Sequence, residues 1–352
     1  MYTFRDYFFN ALIFANNILM PRHKKLTSLM LYTTTRCQSK CKHCNIWNKP
    51  NNDLNLHDIK RIMSSKCISK YTTVGLEGGE FILHPQAEQI LDYFHVNHPN
   101  YTLLSNGLYP KKVCELARRY KPKRLYLSLD GGNEQSYSSV RGVNGYENVI
   151  KVIEEMKGIV PISIMFCLTP WNTLKDMDEV IGIALKYDVD IRIGIYATME
   201  YFDVQNEFVN FQTDNIPNSI HKAHENFDFV KLYAFWRKGE LFLPCQSIKS
   251  ELVIHDDGTV PICQNLDMKL GDIHENSLDE IFNSRKSCKL QSKHYRCNKC
   301  WINFHRKYDI CILRNLEYFV PKKLLECFFG KYQWCTNSSL SYKKVVNEKK
   351  DV

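Results

Sequence analysis

A chain of 352 residues that is 44% hydrophobic and 24% charged can build one large globular domain with a smaller companion, which excludes disordered and fibrous classes. Fourteen cysteines suit a disulfide scaffold only in short secreted chains that lack a core, so metal binding is the better reading here. The formal net charge of +9 is spread along the chain and selects no partner by itself.

The first 25 residues read as an N-terminal amphipathic helix. Phe4, Phe8, Leu12, Ala15 and Leu19 form a stripe at helical spacing, ended by Pro21 and followed by the basic run Arg22 to Lys25. The spacing admits peripheral membrane contact, but the ordinary reading is a helix packed on the main domain. Asn10, Asn16 and Asn17 interrupt the apolar run, no cationic block precedes it and no small-residue cleavage site follows it, so no signal peptide is expected. No segment approaches the roughly 20 apolar residues of a spanning helix. A soluble, cytoplasmic protein is expected.

From Ser28 onward β-rich runs alternate with amphipathic stretches, the pattern of βα units on a parallel sheet. Strands are expected over Ser28 to Thr34, Tyr71 to Leu76, Tyr101 to Ser105, Arg124 to Leu129, Pro161 to Leu168 and Asp190 to Ile195. Helices are expected over Leu56 to Ser65, Pro85 to His95, Lys111 to Tyr120, Tyr146 to Lys157 and Leu174 to Tyr187. Six units make a partial (βα)6 TIM barrel over residues 26–243. A small cysteine-rich domain is expected over 244–312, and a C-terminal extension with a basic tail over 313–352.

In such barrels chemistry sits just after the strands. The loop after the first strand reads TTTRCQSKCKHCNIW and places Cys37, Cys41 and Cys44 in a C-x3-C-x2-C array. Three thiolates from one loop hold three irons of a cubane and leave the fourth open to an outside ligand, whereas structural zinc takes four protein ligands. After the next three strands come Glu77, Gly78, Gly79 and Glu80; Asn106 and Gly107; and Asp130, Gly131 and Gly132. If Leu125, Leu127 and Leu129 face the helices, then Tyr126, Ser128 and Asp130 point into the barrel, where a polar row needs water or ligand.

The cysteine array resembles the signature of the radical S-adenosylmethionine superfamily. That resemblance implies a catalytic 4Fe-4S cluster whose open iron is chelated by S-adenosylmethionine. Reductive cleavage there gives a 5'-deoxyadenosyl radical, which abstracts hydrogen from substrate. His43 stands where the family usually has a bulky residue. Gly78, Gly79 and Glu80 in LEGGE resemble the family's glycine-rich motif, with Phe81 in place of the proline often found next. Asn106 in LLSNG, Ser128 and Asp130 in LYLSLDGG, and Arg141 in SVRG match positions that contact the cofactor, Arg141 facing its carboxylate. The resemblance runs from about Leu26 to Tyr308.

Cys245, Gly258 and Cys263 form a C-x12-G-x4-C pattern, with Cys297 and Cys300 as a C-x2-C pair downstream. With LGDIHENSLDEIF between them, they resemble the SPASM and shortened twitch domains that follow many radical barrels. The resemblance implies one auxiliary 4Fe-4S cluster on four cysteines; Arg306 and Ile310 stand where a second cluster's cysteines are expected. A four-cysteine zinc site is the competing reading. Cys67 and Cys114 read as buried small hydrophobes, while Cys288, Cys311, Cys327 and Cys335 are unassigned. Lys289, Lys293, Arg296, Lys299, Arg306 and Lys307 surround this region and suit an acidic reducing partner such as flavodoxin or ferredoxin.

The leading functional expectation is oxidation of a sugar, aminocyclitol or similar small molecule, with Arg192 orienting an anionic group if it shares an inward face with Gly194 and Tyr196. The alternatives are modification of a ribosomal peptide, and epimerisation with Cys167 as the catalytic thiol that returns hydrogen. From a different class, a non-catalytic iron-sulfur or zinc protein binding RNA or another partner stays open. Nucleic acid is not the favoured partner.

Overall fold

The computed structural model describes residues 4–197, 199–202, 209–211, 215–222, 227–266 and 268–334. The expected basic tail and Cys335 lie outside these residues, as does the Phe4 side chain. In chain order the elements begin with α1 (Phe4–Leu19), β1 (Ser28–Thr34), α2 (Leu56–Met63), β2 (Thr73–Gly78), α3 (Ala87–Asn97) and β3 (Tyr101–Ser105). There follow α4 (Pro110–Tyr120), β4 (Arg124–Ser128), α5 (Glu134–Arg141), α6 (Tyr146–Met156), β5 (Ile162–Leu168), α7 (Leu174–Lys186) and β6 (Asp190–Ile195). The cysteine-rich part contributes α8 (Phe227–Arg237), β7 (Glu251–Ile254), β8 (Thr259–Pro261), β9 (Lys269–Asp272) and α9 (Leu278–Asn283). It ends with α10 (Arg285–His294), α11 (Asn303–Leu316) and α12 (Lys322–Phe329).

All six expected strands are present, three of them with the expected bounds. The second starts at Thr73 rather than Tyr71 because Ser69 and Thr72 close a turn first, Thr72 N–H donating to the Ser69 carbonyl. The sheet is parallel throughout, in the order β6-β5-β4-β3-β2-β1-β7, and curls into a half-barrel. Its seventh strand was not anticipated. Just beyond the expected boundary at 243, β7 pairs with β1, Ser28 opposite Glu251 and Leu31 opposite Ile254. The run ELVI carries too few residues to show a period of its own. Helix α5 was also missed, because EQSYSSVR has no apolar stripe; its ends fix it instead. Asn133 and Ser136 form a capping box, and Gly142 at φ 67° closes the C-terminus.

Strand parity sorts the interior into two regions. Leu29, Leu31, Leu125, Leu127 and Leu129 are buried in the core between sheet and helices. Met30 and Tyr32 belong to a separate cluster with Val253, Tyr201, Phe202 and Phe304 on the lumen side. Arg192 stacks over the Tyr126 ring at 5.0 Å while Ile191, Ile193 and Ile195 enter the core, so Arg192 faces the lumen. Truncating one core leucine, as in Leu127→Ala, costs about 2–5 kcal/mol.

Helix α1 is rotated relative to expectation. Phe8, Leu12 and Leu19 are exposed by half or more, whereas Phe9 stacks on Tyr71 at 3.7 Å and Ile13 and Asn17 are buried. The Asn17 amide explains the rotation. It donates to the carbonyls of Lys25 and Lys249 and accepts from Lys25 N–H, so its face must turn inward. No described helix is long and apolar enough to cross a membrane.

At the N-terminal ends of the strands, Glu251 is buried with Lys307 Nζ 2.7 Å away. Burial outweighs that attraction and pushes the carboxyl up from 4.5 to about 7. The folded state therefore holds a proton more tightly than the unfolded chain. This stabilisation is complete below about pH 4.5 and is lost as pH rises through 7. Thermal unfolding between pH 5 and 8 should show the wild type losing stability relative to Glu251→Gln; a pH-independent difference in Tm contradicts this reading.

Candidate active site

The loop carrying Cys37, Cys41 and Cys44 is held by backbone on both flanks. Gly79 N–H donates to the Thr34 carbonyl and Glu80 N–H to that of Arg36, each at 2.7 Å. From α5, the Arg141 and Val140 carbonyls accept from Lys40 and Lys42 N–H at 3.1 and 2.9 Å. The approach is close enough to demand glycine. A Cβ on Gly79 would lie 2.3 Å from the Arg36 oxygen, and one on Gly142 2.2 Å from that of Lys40. Gly78 thus packs on the end of β1 that leads into the cysteine loop, and Gly79 directly on the loop itself. Gly142 does the same from α5, a role its place in SVRG did not reveal.

Two side chains donate toward the sulfurs. Asn106 Nδ2 lies 3.8 Å from Cys37 Sγ and 3.2 Å from Ser39 Oγ. Arg141 Nη1 lies 3.7 Å from Cys41 Sγ, and its Nε is 2.5 Å from Asp130 Oδ2. Asp130 also accepts from Cys167 N–H at 2.7 Å, so it joins β4, α5 and β5 at one point. Glu80 directs its carboxylate to the loop after β3, accepting from Ser105 Oγ at 2.9 Å and Asn106 N–H at 2.7 Å; burial pushes it up to about 7. Ser128 is buried on the lumen side with the parity anticipated.

This donor set fits the cationic core of an iron-sulfur cluster. Burial pushes the Cys37 thiol up to about 11 and Cys44 up to about 12, so neutral water alone leaves them protonated. Metal binding would supply the compensating charge and release the protons. His43 Nδ1 is buried without a hydrogen-bond partner among the described residues; burial pushes the ring down to about 4, with Asp130 and Arg141 nearby acting in opposite directions. Cys167 shares the lumen face of β5 with Ser163 and Met165, while Ile164, Phe166 and Leu168 enter the core.

The second group is also brought together: Cys245, Cys263, Cys297 and Cys300 line one cavity. Burial pushes Cys245 and Cys300 up to about 12. Among the described residues, no three His, Cys, Asp or Glu side chains converge on a point that would hold one ion.

Arg306 is not part of an exposed basic collar. It is 1% exposed and donates to the carbonyls of Cys300 and Leu243 at 2.9 and 2.6 Å, to Asn298 Oδ1 at 2.9 Å and to Asp309 Oδ2 at 3.0 Å. One guanidinium ties together both ends of the cysteine framework where a further ligand was considered. Lys307 is likewise turned inward to Glu251, which leaves Lys289, Lys293, Arg296 and Lys299 exposed. Cys67 and Cys114 are buried as anticipated. Cys288 bonds to the Pro21 carbonyl, and Cys311 and Cys327 sit on α11 and α12 beside Asn315 and Lys323.

The radical SAM superfamily model matches residues 31–183, and the model of the SPASM iron-sulfur cluster-binding domain matches 245–301. Among curated proteins, the antilisterial bacteriocin subtilosin biosynthesis protein AlbA of Bacillus subtilis is 26% identical over 307 residues. That match covers 81% of this chain and 66% of AlbA. The mycofactocin maturase MftC of Mycolicibacterium smegmatis is 24% identical over 166 residues, 46% of this chain and 42% of MftC. The chain thus spans less than two thirds of either relative's length.

Among solved structures, Streptococcus suis SuiB bound to S-adenosylmethionine aligns with a TM-score of 0.60 at 15% identity, covering 83% of this chain and 74% of SuiB. Native anSMEcpe with bound AdoMet aligns at 0.54 and 18% identity, covering 80% and 88%. These likenesses show the shared fold. The matched families imply a catalytic 4Fe-4S cluster with S-adenosylmethionine and auxiliary iron-sulfur binding. With a parallel half-barrel, a three-cysteine loop at its mouth and a second cysteine framework beside it, the chain belongs to the radical SAM superfamily and carries a C-terminal SPASM domain.

Proposed function

We propose that the chain modifies a ribosomally made peptide by radical chemistry. The observation that carries this reading is the match over 81% of the chain to AlbA, a protein named for bacteriocin biosynthesis. SuiB, which shares the fold, has been solved with its precursor peptide SuiA. The relatives favour a peptide over the sugar or aminocyclitol expected from the sequence, because the cysteine motifs specify the reaction class and leave the substrate to the lumen.

In this reading Cys37, Cys41 and Cys44 hold the catalytic cluster, and Cys245, Cys263, Cys297 and Cys300 hold the auxiliary one. The cluster and S-adenosylmethionine together supply a radical able to take hydrogen from an unactivated carbon. Gly78, Gly79 and Glu80 shape the wall where the cofactor lies, while Asn106, Ser128, Asp130 and Arg141 orient it. Arg141, already paired with Asp130, brings a fixed positive charge to Cys41 and to any carboxylate beside it. A peptide side chain entering the lumen meets Tyr32, Glu77, Tyr126 and Arg192, a mixed aromatic and charged surface. The exposed Lys289, Lys293, Arg296 and Lys299 suit docking of an acidic reductant such as flavodoxin or ferredoxin, in a reducing cytoplasm that keeps the thiols free.

Anaerobic reconstitution should give about eight irons per chain, and replacing Cys37, Cys41 and Cys44 by Ala should remove about half of them and all cofactor cleavage. Unchanged cleavage in that variant refutes the catalytic assignment. Short peptides encoded near the gene, deuterated at carbon, should pass deuterium into 5'-deoxyadenosine; transfer from labelled polyols alone would return the substrate to the sugar class. Cys167→Ala should leave the peptide product formed, whereas loss of product with hydrogen abstraction intact and solvent deuterium normally incorporated identifies epimerisation.

A further inference from the structure

A line of hydrogen bonds joins Cys245 to the barrel lumen through residues that no cysteine motif contains. His305, the third residue of α11, is 3% exposed. Gln264 N–H donates to its Nε2 at 3.2 Å, so the neutral ring carries its proton on Nδ1. Burial beside Arg306 and Lys307 disfavours a second proton. Nδ1–H then donates to Ser247 Oγ at 2.7 Å. That contact occupies an acceptor position on the hydroxyl and leaves its hydrogen for Cys245 Sγ, 3.4 Å away. Glu251 Oε2 stands 4.0 Å from Nδ1, too far to compete.

Gln264 follows Cys263 directly and reaches the other way. Its Nε2 donates to the Tyr32 hydroxyl at 2.5 Å and lies 3.1 Å from Met30 Sδ, both in the lumen wall on β1. The residue that fixes the imidazole tautomer is therefore itself anchored to the barrel. A misplaced loop at 262–266 would free the ring to adopt the other tautomer and reverse the direction of donation.

We propose that Ser247 and His305 are positioning residues that set the reduction potential of the auxiliary cluster by donating a directed hydrogen bond to the Cys245 sulfur. The inference rests on Cys245 being a ligand of that cluster. A ligating sulfur gains negative charge when the cluster is reduced, and a donor aimed at it stabilises that state, so the relay raises the potential. The buried imidazole keeps the hydroxyl from rotating away.

Ser247→Ala removes the donor with little change in volume. In the full chain, reconstituted anaerobically and titrated with EPR detection, the auxiliary signal should move to more negative potential. A tenfold loss of reduced cluster at fixed poise corresponds to about 59 mV for one electron. The signal that S-adenosylmethionine perturbs should stay in place, and iron content should equal that of the wild type. His305→Phe should shift the auxiliary signal in the same direction, and His305→Asn, which retains a donor, should restore part of it. An unchanged auxiliary potential in Ser247→Ala at full iron content overturns the proposal. Full iron content in Cys245→Ala overturns it for a different reason, because the relay would then end on no ligand.

Discussion

The buried pair between Arg141 and Asp130 is the contact on which the candidate active site depends. Neither charge is tolerable alone at that depth, and removing one partner of such a pair typically costs about 3–5 kcal/mol. Together they connect four parts of the chain. Asp130 receives the Cys167 N–H, Arg141 reaches Cys41, and the carbonyls of the last two residues of α5 fix Lys40 and Lys42. The cysteine loop is thus positioned by an electrostatic lock. The glycines at 79 and 142 permit the close backbone approach that the lock requires.

The auxiliary framework follows the same logic with a different cation. Arg306 satisfies two backbone carbonyls, an amide oxygen and a carboxylate, and so gathers the segments around Cys245 and Cys300. Both cysteine groups are held by a buried guanidinium paired with an aspartate. In each case the fixed positive charge lies near thiols that burial alone would keep protonated.

Much of this was legible where the signal is local. The strand runs alternate or stay apolar over enough residues to be counted, and Cys37, Cys41 and Cys44 sit within one loop. The inward parity of Tyr126, Ser128 and Asp130 followed from the leucines between them. What escaped was decided by distant partners. Strand β7 is four residues long and owes its place to pairing with β1. The orientation of α1 was set by the three backbone bonds of Asn17, which outweigh the apolar stripe that suggested the opposite rotation. Arg306 and Lys307 looked like surface charge until Asp309 and Glu251 were seen to face them. The lumen collects one or two residues from each strand, so no contiguous motif spells its substrate.

Strand β7 bears on how such proteins exchange parts over evolutionary time. A recombination joint near residue 244 separates the cysteine-rich segment cleanly in the linear gene, yet it also transfers a strand of the barrel sheet. An incoming segment must therefore match Ser28–Leu31 in register as well as bring its own cluster ligands. Inheritance of the two modules is coupled by a row of backbone hydrogen bonds, and a donor whose cysteines fit but whose strand does not would leave the barrel with a ragged edge.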